Sequence, residues 1–454
     1  MICAAVALAL LVDSSGAPAE AAAPVPTPTP FTVAGSVDSD VRWDFPHGIP
    51  KNAALERARS TLAVRAEAQP ADRIRAVLDA RVQWLGEPAT SDSSALTTQS
   101  ARDPIRVDAD ALFAEISRGP IRFRAGRQTI RWGSGLLFNP TSVISPPDLE
   151  DPLRYASPLG NEMLRAEVKL GPLRLDAIGV PRFRPALLPP VSSRDVLRRS
   201  GVPAAITIAD DPSWTIDLAA ANAFPPANDS GSHGARLSAR IPALSLDASV
   251  MGYYGFTPVP QLGSADLAVD PVEHTLSGTV TLVYPRTAVA GVDLAAQIPL
   301  GRYGSLGAWF EGTWNKAQAW DQIVTINGSP ATTRALEDPW TRAAAGVDHT
   351  TEGGLYASLQ WVRGLPDETG ADATRDYALL IAERPFARER FKARMVGAIA
   401  LKDGSALAGP EVSASFDALT FSLGAYGGHG SDTQVLSERR LGPPILRFHA
   451  LLAF

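Results

Sequence analysis

The chain has 454 residues, 45% of them hydrophobic and 20% charged, with a formal net charge of −6. That mild negative charge excludes a nucleic-acid surface, which needs a basic excess, and no unbroken run of 18 apolar residues follows the N-terminal segment, which excludes a helical membrane protein. A mean hydropathy near zero suits both a soluble protein and a barrel whose lipid-facing and lumen-facing residues alternate, so the pattern along the chain has to decide.

Residues 2–12 form an apolar run too short to span a bilayer, and Ala17-Pro18-Ala19 and Ala21-Ala22-Ala23 follow it. This reads as a secretory signal peptide over residues 1–23, lacking the usual basic start, with cleavage between residues 19 and 24. Cys3, the single cysteine, leaves with it, so the mature chain suits an oxidising compartment without needing disulfides. Residues 24–30, with a proline at every second position, make a short extended linker.

From residue 31 to 454, helical periodicity is scarce and period-two alternation is the rule, the mark of strands with one apolar and one polar face. In 57–69, Arg57, Arg59, Thr61, Arg65, Glu67 and Gln69 oppose Ala58, Leu62, Val64, Ala66 and Ala68. In the next strand Arg73, Arg75, Asp79, Arg81 and Gln83 oppose Ile74, Ala76, Leu78, Ala80, Val82 and Trp84. Trp84 falls where an interfacial aromatic belt would sit. Residues 105–117 set Arg106, Asp108 and Asp110 against Ile105, Val107, Ala109 and Phe113. Connections alternate between minimal (69–72, 118–120) and long (87–104), as the tight inner turns and large outer loops of an outer-membrane barrel do.

The segment 121–148 organises the rest of the chain. Ile121-Arg122-Phe123-Arg124-Ala125 alternates, and then the pattern slips at Gly126-Arg127. An unbroken register would put Arg127 and Arg131 on the oily face, where an arginine at mid-membrane costs roughly 2–4 kcal/mol. A one-residue bulge at Gly126-Arg127 is therefore expected, returning Ile130 and Trp132 to the oily side and letting Arg127, Thr129 and Arg131 join Arg122 and Arg124. Beyond Gly133 the alternation stops. Residues 133–159 read as a loop that folds inward or caps the barrel, its shape fixed by Asn139-Pro140 and Pro146-Pro147, with Asp148, Glu150 or Asp151 meeting wall arginines.

The order Arg124-x-Gly126-Arg127-Gln128, then Trp132-Gly133, Asn139-Pro140-Thr141 and Pro146-x-Asp148, resembles a motif of large, mostly uncharacterised families of Gram-negative outer-membrane β-barrels, porin-like proteins of undefined substrate. The resemblance covers about thirty residues, with weaker echoes at Gly291-Val292-Asp293 and Phe310-Glu311. It departs from the motif at Ser142, where many members carry an acid. It implies a transmembrane barrel in a Gram-negative outer membrane, and it names no substrate.

Residues 163–169 (Arg165, Glu167 and Lys169 inward) and 173–180 continue the barrel across a Gly171-Pro172 turn. Residues 181–234 hold mixed charge and many prolines without sustained alternation, and read as a large external segment with a short helix near 193–199 and an optional strand at 214–221. A hairpin at 235–242 and 244–254 and a long loop at 256–273 come next. One long strand is expected over 274–299, because two would move the long loop 316–338 to the side of the tight turns. Strands at 304–314, 340–350, 355–363, 376–385, 390–401, 411–417, 420–427 and 445–454 complete an all-β antiparallel barrel of about 18 strands, with 16 or 20 as alternatives. In the last of them Leu446, Phe448, Ala450, Leu452 and Phe454 share one face opposite Arg447 and His449. Closing on Phe454 resembles the signal that outer-membrane assembly machinery reads, with Phe448 on the same face.

An arginine-rich inward face implies a wet lumen, and barrels of this size leave an aqueous channel when not plugged. The expected pore-lining residues are Arg57, Arg59, Arg65, Arg73, Arg75, Arg81, Arg106, Arg122, Arg124, Arg127, Arg131, Arg165 and Arg174, with Trp132, Gly133, Asn139, Pro140 and Asp148 at a loop constriction. Acids on the same wall are fewer: Glu67, Asp79, Asp108, Asp110, Glu167 and Asp176. The excess could favour anions, or the charges could pair across strands as ladders that brace the wall. The six histidines are scattered without metal-ligand spacing, and neither an enzyme nor a cofactor is called for. The leading expectation is a passive channel for small hydrophilic solutes, anionic ones included, with outer-membrane lipid and the assembly machinery as partners. The alternative is a non-conducting surface barrel serving export, anchoring or assembly of a polysaccharide or lipid.

Overall fold

The computed structural model describes residues 31–45, 54–71, 73–86, 105–136, 138–188, 207–208, 211, 213–225, 231–431, 434–436 and 444–454. The expected signal peptide, linker and short helix at 193–199 lie outside them. Strands β1 (Phe31–Asp44), β2 (Ala54–Ala71), β3 (Ile74–Leu85), β4 (Ile105–Arg118) and β5 (Ile121–Gln128) begin the wall. The loop after β5 carries two short strands, β6 (Pro147–Asp148) and β7 (Ser157–Pro158), before β8 (Asn161–Leu170) and β9 (Leu173–Val180) resume the wall. β10 (Thr215–Ala223) leaves it, β11 (Ser232–Ile241) and β12 (Leu246–Phe256) return, and β13 (Gln261–Asp270) and β14 (Thr275–Val283) leave again. β15 (Arg286–Pro299) and β16 (Ser305–Ala317) are wall; β17 (Trp320–Ile326) and β18 (Ser329–Ala335) are not. β19 (Trp340–Thr350), β20 (Tyr356–Arg363), β21 (Asp376–Phe386), β22 (Phe391–Ala400), β23 (Ala406–Phe416), β24 (Leu419–His429) and β25 (Ile445–Ala453) complete it.

Eighteen of these strands form one antiparallel sheet, and β25 pairs with β1 to close it into a barrel. Gly35 and Phe454 exchange two backbone hydrogen bonds of 2.7 and 2.9 Å at that seam. Closure leaves no unpaired edge in the wall, which is the condition for a sheet to face lipid. The outer face is apolar: Leu62, Leu78, Val107, Leu175, Val250, Leu380 and Leu423 are all exposed. Exposed Trp43, Trp84, Tyr254 and Trp314 ring the long-loop end, and Phe31, Tyr303, Phe386, Phe416 and Phe454 ring the short-turn end. Two aromatic girdles with an aliphatic band between them are the outer surface of a transmembrane barrel.

Three details differ from the sequence reading. β5 keeps continuous register with β4 through Leu112 opposite Arg127, so there is no bulge at Gly126-Arg127. The extra residue sits one strand earlier: Asp79 pairs with Ala111 and Ala80 with Ala109, leaving Asp110 unmatched on β4. That bulge turns Phe113 inward, where the Arg124 guanidinium lies 4.3 Å from its ring centroid. At Gly126 the backbone instead takes φ +121°, and a Cβ there would come 2.3 Å from the Leu112 carbonyl oxygen; only glycine fits. Ile130 and Trp132, expected on the oily side, lie inside with Ile144, Met163 and Ile178. The reason is that β5 ends at Gln128 and the chain turns into the lumen, so strand alternation no longer governs these positions.

The second difference is at 274–299, where two strands stand in place of one. Only β15 belongs to the wall. β14 joins a separate five-stranded sheet in the order β10-β14-β13-β17-β18, built from three connections at the long-loop end, with Leu218, Leu267, Leu276 and Val280 in its core. The count therefore stays at 18 without the optional strand, because every added strand pairs outside the barrel. Third, the segments 256–273 and 316–338, read as plain loops, supply β13, β17 and β18 to this sheet.

Candidate functional site: the inner loop and its seats

Of the segment between β5 and β8, residues 129–136 and 138–160 fold into the lumen rather than above it. The loop's apolar side chains Phe138, Leu149, Leu153 and Tyr155 pack with Val362, Leu379, Val396 and Leu407 on the inner wall. On that wall the inward and outward faces are both apolar: Leu379 is fully buried beneath the loop while Leu380 is 44% exposed on the outside. The loop thus covers a surface that water would otherwise meet, and burying it drives the inward fold.

Two polar seats fix the ends of this packing. At the first, Arg42 of β1 forks onto the carboxylate of Asp151 at 2.8 and 2.9 Å and onto Asp40 at 3.0 and 2.8 Å. Arg57 approaches Asp151 at 3.3 Å, and Arg447 of β25 donates to Asp40 at 3.0 Å. Arg106 forks onto Glu150 at 2.7 and 3.1 Å, with Arg59 at 3.9 Å. At the second seat, across the barrel, the Glu311 carboxylate of β16 accepts from Ser134 N (2.7 Å), Gly135 N (2.6 Å), Thr141 N (3.3 Å) and Thr141 Oγ1 (2.7 Å). A Cβ at Gly133 would lie 2.3 Å from the same carboxylate, so the Trp-Gly step lets the backbone close on Glu311. Gln360 Nε2 adds a bond to Phe138 O at 3.2 Å. The loop is a bridge across the lumen, anchored by acids of its own on one wall and by a wall acid on the other.

The expected pore-lining arginines fall into groups. Arg57, Arg59 and Arg106 belong to the first seat. Arg81 pairs with Asp110 at 3.2 Å, Arg127 with Asp108 at 2.8 Å, Arg124 with Glu115 at 2.5 Å and Arg165 with Asp176 at 2.7 Å. Arg65 pairs with Asp79 at 3.2 Å, Arg75 with Glu67 at 2.6 Å, Arg122 with Glu115 at 3.4 Å, and Arg174 with Glu167. Arg73 stands exposed in the turn before β3. The wall arginines are laddered with acids, which is the bracing arrangement. Arg131 alone of the set sits on the loop, donating to Leu136 O at 3.1 Å.

Of the expected constriction residues, Trp132 is buried and its Nε1 donates to Asp176 at 3.3 Å; Asn139 and Pro140 line a cavity between the loop and the wall. Among the described residues Asp148 forms no ion pair with an arginine, and it accepts from Glu150 N at 3.0 Å. Burial, together with the neighbouring Glu150 and Asp151, pushes its pKa up to about 6. Burial would raise Glu150 and Asp151 too, but Arg106 and Arg42 respectively hold them below the usual carboxylate range. Glu311 was only an echo in the sequence reading, and Arg42, Asp40 and Arg342 were missed; each lies far along the chain from the loop it serves.

These pKa directions set the pH response of the loop. A raised Asp148 pKa means that protonation favours the seated state, a gain absent above about pH 6 and complete near pH 4, the ordinary carboxylate value. The first seat, whose acids are held low, stays charged across that window. The loop is therefore expected to be held more tightly at pH 5 than at pH 8, and Asp148→Asn should abolish the difference in its susceptibility to limited proteolysis. Equal susceptibility at both pH values in the unmodified protein would contradict this.

No protein-family model and no curated protein matches the chain. Solved structures do. OccAB4 of Acinetobacter baumannii superposes with a TM-score of 0.54 at 9% identity, covering 94% of this chain and 98% of that one. The outer membrane protein OpdK of Pseudomonas aeruginosa gives 0.51 at 10% identity, covering 93% and 99%. OccK2 (OpdF) of the same organism, solved in complex with glucuronate, gives 0.50 at 10% identity, covering 93% and 97%. The fold is shared with these barrels. Identities this low carry the fold and nothing more, so the function has to come from the lumen itself.

Proposed function

We propose that this chain is a porin-like outer-membrane channel through which small hydrophilic solutes, anions among them, pass down their gradients. The observation that carries the reading is the wet wall below the loop: the inward side chains of Arg65, Arg122 and Arg174 are 50%, 39% and 44% exposed although they face the barrel interior. A barrel interior filled by its own side chains would leave no such access. The seated loop then narrows the upper lumen, and the ladders leave little net field on the lower wall. A fold neighbour that holds glucuronate, a carboxylate sugar, fits the anionic part of the reading.

Purified protein in planar bilayers under a salt gradient tests it. Stable steps with a reversal potential on the anion side are expected. Neutralising Arg124 or Arg127 should move that potential little, because each is already matched by Glu115 or Asp108. Silence from a correctly folded barrel would favour the non-conducting surface barrel, the reading that the two-sided anchoring of the loop supports.

A further inference from the structure

The short turn between β21 and β22 is built unlike its neighbours. Ala387, Arg388 and Glu389 take φ values of +50°, +59° and +64° in succession, the left-handed region that disfavours any residue with a Cβ. The other short turns give such positions to glycine, as at Gly119, Gly171, Gly301 and Gly354, or singly to Ser245 and Asp417. Among the described residues only 387–389 runs three side-chain-bearing residues together in this conformation. A turn whose sole task was to join two strands would relax by placing glycine there. Backbone strain kept in spite of that remedy points to a use for the side chains it presents.

Those side chains are cationic. Arg384, Arg388 and Arg390 are all exposed, and among the described residues none of them forms an ion pair with a carboxylate. Glu383, the acid before Arg384, is already taken by Lys392 at 3.3 Å and Arg394 at 3.8 Å. Within the turn itself only Glu389 stands against the three arginines. The patch also borders lipid. Alternation from Leu380 to Phe386, 44% and 45% exposed on the outer face, places Arg384 on that same face, and its cross-strand neighbour is Ala393, which has no polar group to offer it. Phe386 stacks on Phe391 at 5.5 Å between ring centroids, and Phe391 meets Phe416 edge-on at 6.5 Å. Exposed Leu380, Met395 and Val412 continue the apolar surface toward the middle of the wall. Unmatched guanidinium groups thus sit where headgroups begin, and aromatic rings sit where acyl chains begin.

We propose that the β21–β22 turn is a binding site for an anionic phospholipid of the inner leaflet, its phosphate held among Arg384, Arg388 and Arg390 and its acyl chains lying against Phe386 and Met395. A phosphodiester oxyanion is the partner that exposed guanidinium groups match best. The short turns of an outer-membrane barrel face the periplasm, so the lipid comes from the periplasmic leaflet. A soluble acidic partner fits the patch less well, because it would have to displace lipid to reach Arg384 beside the aromatic girdle. The site lies on the outer wall and needs no conduction, so it stands apart from the channel reading.

Native mass spectrometry of the full chain in detergent micelles tests it, with dioleoylphosphatidylglycerol and dioleoylphosphatidylcholine as probes. The unmodified protein should retain the anionic lipid about tenfold more strongly than the zwitterionic one. Replacing the three arginines together, Arg384→Gln, Arg388→Gln and Arg390→Gln, should erase that preference. The control variant Arg73→Gln, Arg118→Gln and Arg302→Gln removes the same charge from three other short turns and should keep it. If the first variant does not fold, Arg388→Gln alone, at the tip of the turn, should weaken the anionic lipid several-fold. Equal retention of the two lipids by the unmodified protein, an unchanged preference in the turn variants, or the same loss in the control would overturn the site. Binding of polyglutamate that the turn variant abolishes, without any lipid preference, would give the turn to a soluble periplasmic partner and overturn the lipid assignment.

Discussion

Asp151→Asn is expected to open the channel and to weaken the barrel together. Arg42 is fully buried between Asp40 and Asp151, and Arg57 and Arg447 add two more cations around the same acids. Removing one carboxylate leaves buried guanidinium charge without its counter-ion, a change that costs about 3–5 kcal/mol in comparable buried pairs. The loss falls on two structures at once. Asp151 holds the loop, while Arg42 and Arg447 stand on β1 and β25, the strands that close the barrel. Single-channel conductance should rise several-fold as the loop leaves its seat, and the urea midpoint in micelles should fall. The double variant Arg42→Met with Asp151→Leu, which removes the pair rather than half of it, should recover much of the stability but not the closed state. An Asp151→Asn channel with unchanged conductance and unchanged midpoint would show that the loop is held by its apolar packing alone.

The barrel wall is legible in the sequence because a transmembrane strand states its own orientation: Arg122 and Arg124 against Ile121 and Phe123 need no partner to be read. The closing strand is legible for the same reason, Phe448 and Phe454 facing out and Arg447 in. What alternation cannot reveal is who meets whom across the lumen. Arg42 and Asp151 are 109 positions apart, and Glu311 and Thr141 are 170, and no local pattern links them. Extending a period past the point where the strand stops puts Trp132 in lipid, which is why the sequence misplaces it. The outer sheet is invisible for a related reason: β10 with β14 and β13 with β17 pair in parallel, which requires strands from separate connections rather than neighbours in a hairpin. The arginine excess suggests an anion path along the wall. The ladders consume that charge, and Arg342, which donates to the main-chain carbonyls of Pro366 and Glu368, stands on a strand where no local pattern marks the arginine out.

The opposite anchor should fail differently. Glu311 sits fully buried on β16 and holds the loop only through hydrogen bonds, accepting from three backbone N–H groups and one hydroxyl. Glu311→Ala leaves the donors of Ser134, Gly135 and Thr141 without an acceptor in a dry site, at about 1–3 kcal/mol for each orphaned group. The loop can avoid that penalty by moving those amides to water, so its 133–141 half is expected to detach while Asp151 and Glu150 keep the other half in place. Barrel closure does not depend on Glu311, and the urea midpoint should change less than in Asp151→Asn. Conductance should rise, and the current should flicker because one end of the loop remains tethered. The cavity beside Arg342 loses the loop that forms its far side. Glu311→Gln should behave alike, since an amide presents one acceptor oxygen and an NH₂ group to donors that all need acceptors. Limited proteolysis is the decisive measurement: cleavage confined to the segment around residues 133–141 is expected in both variants and not in the unmodified protein. A loop that stays protected in Glu311→Ala would mean that the carboxylate is a passenger of the packing rather than its anchor.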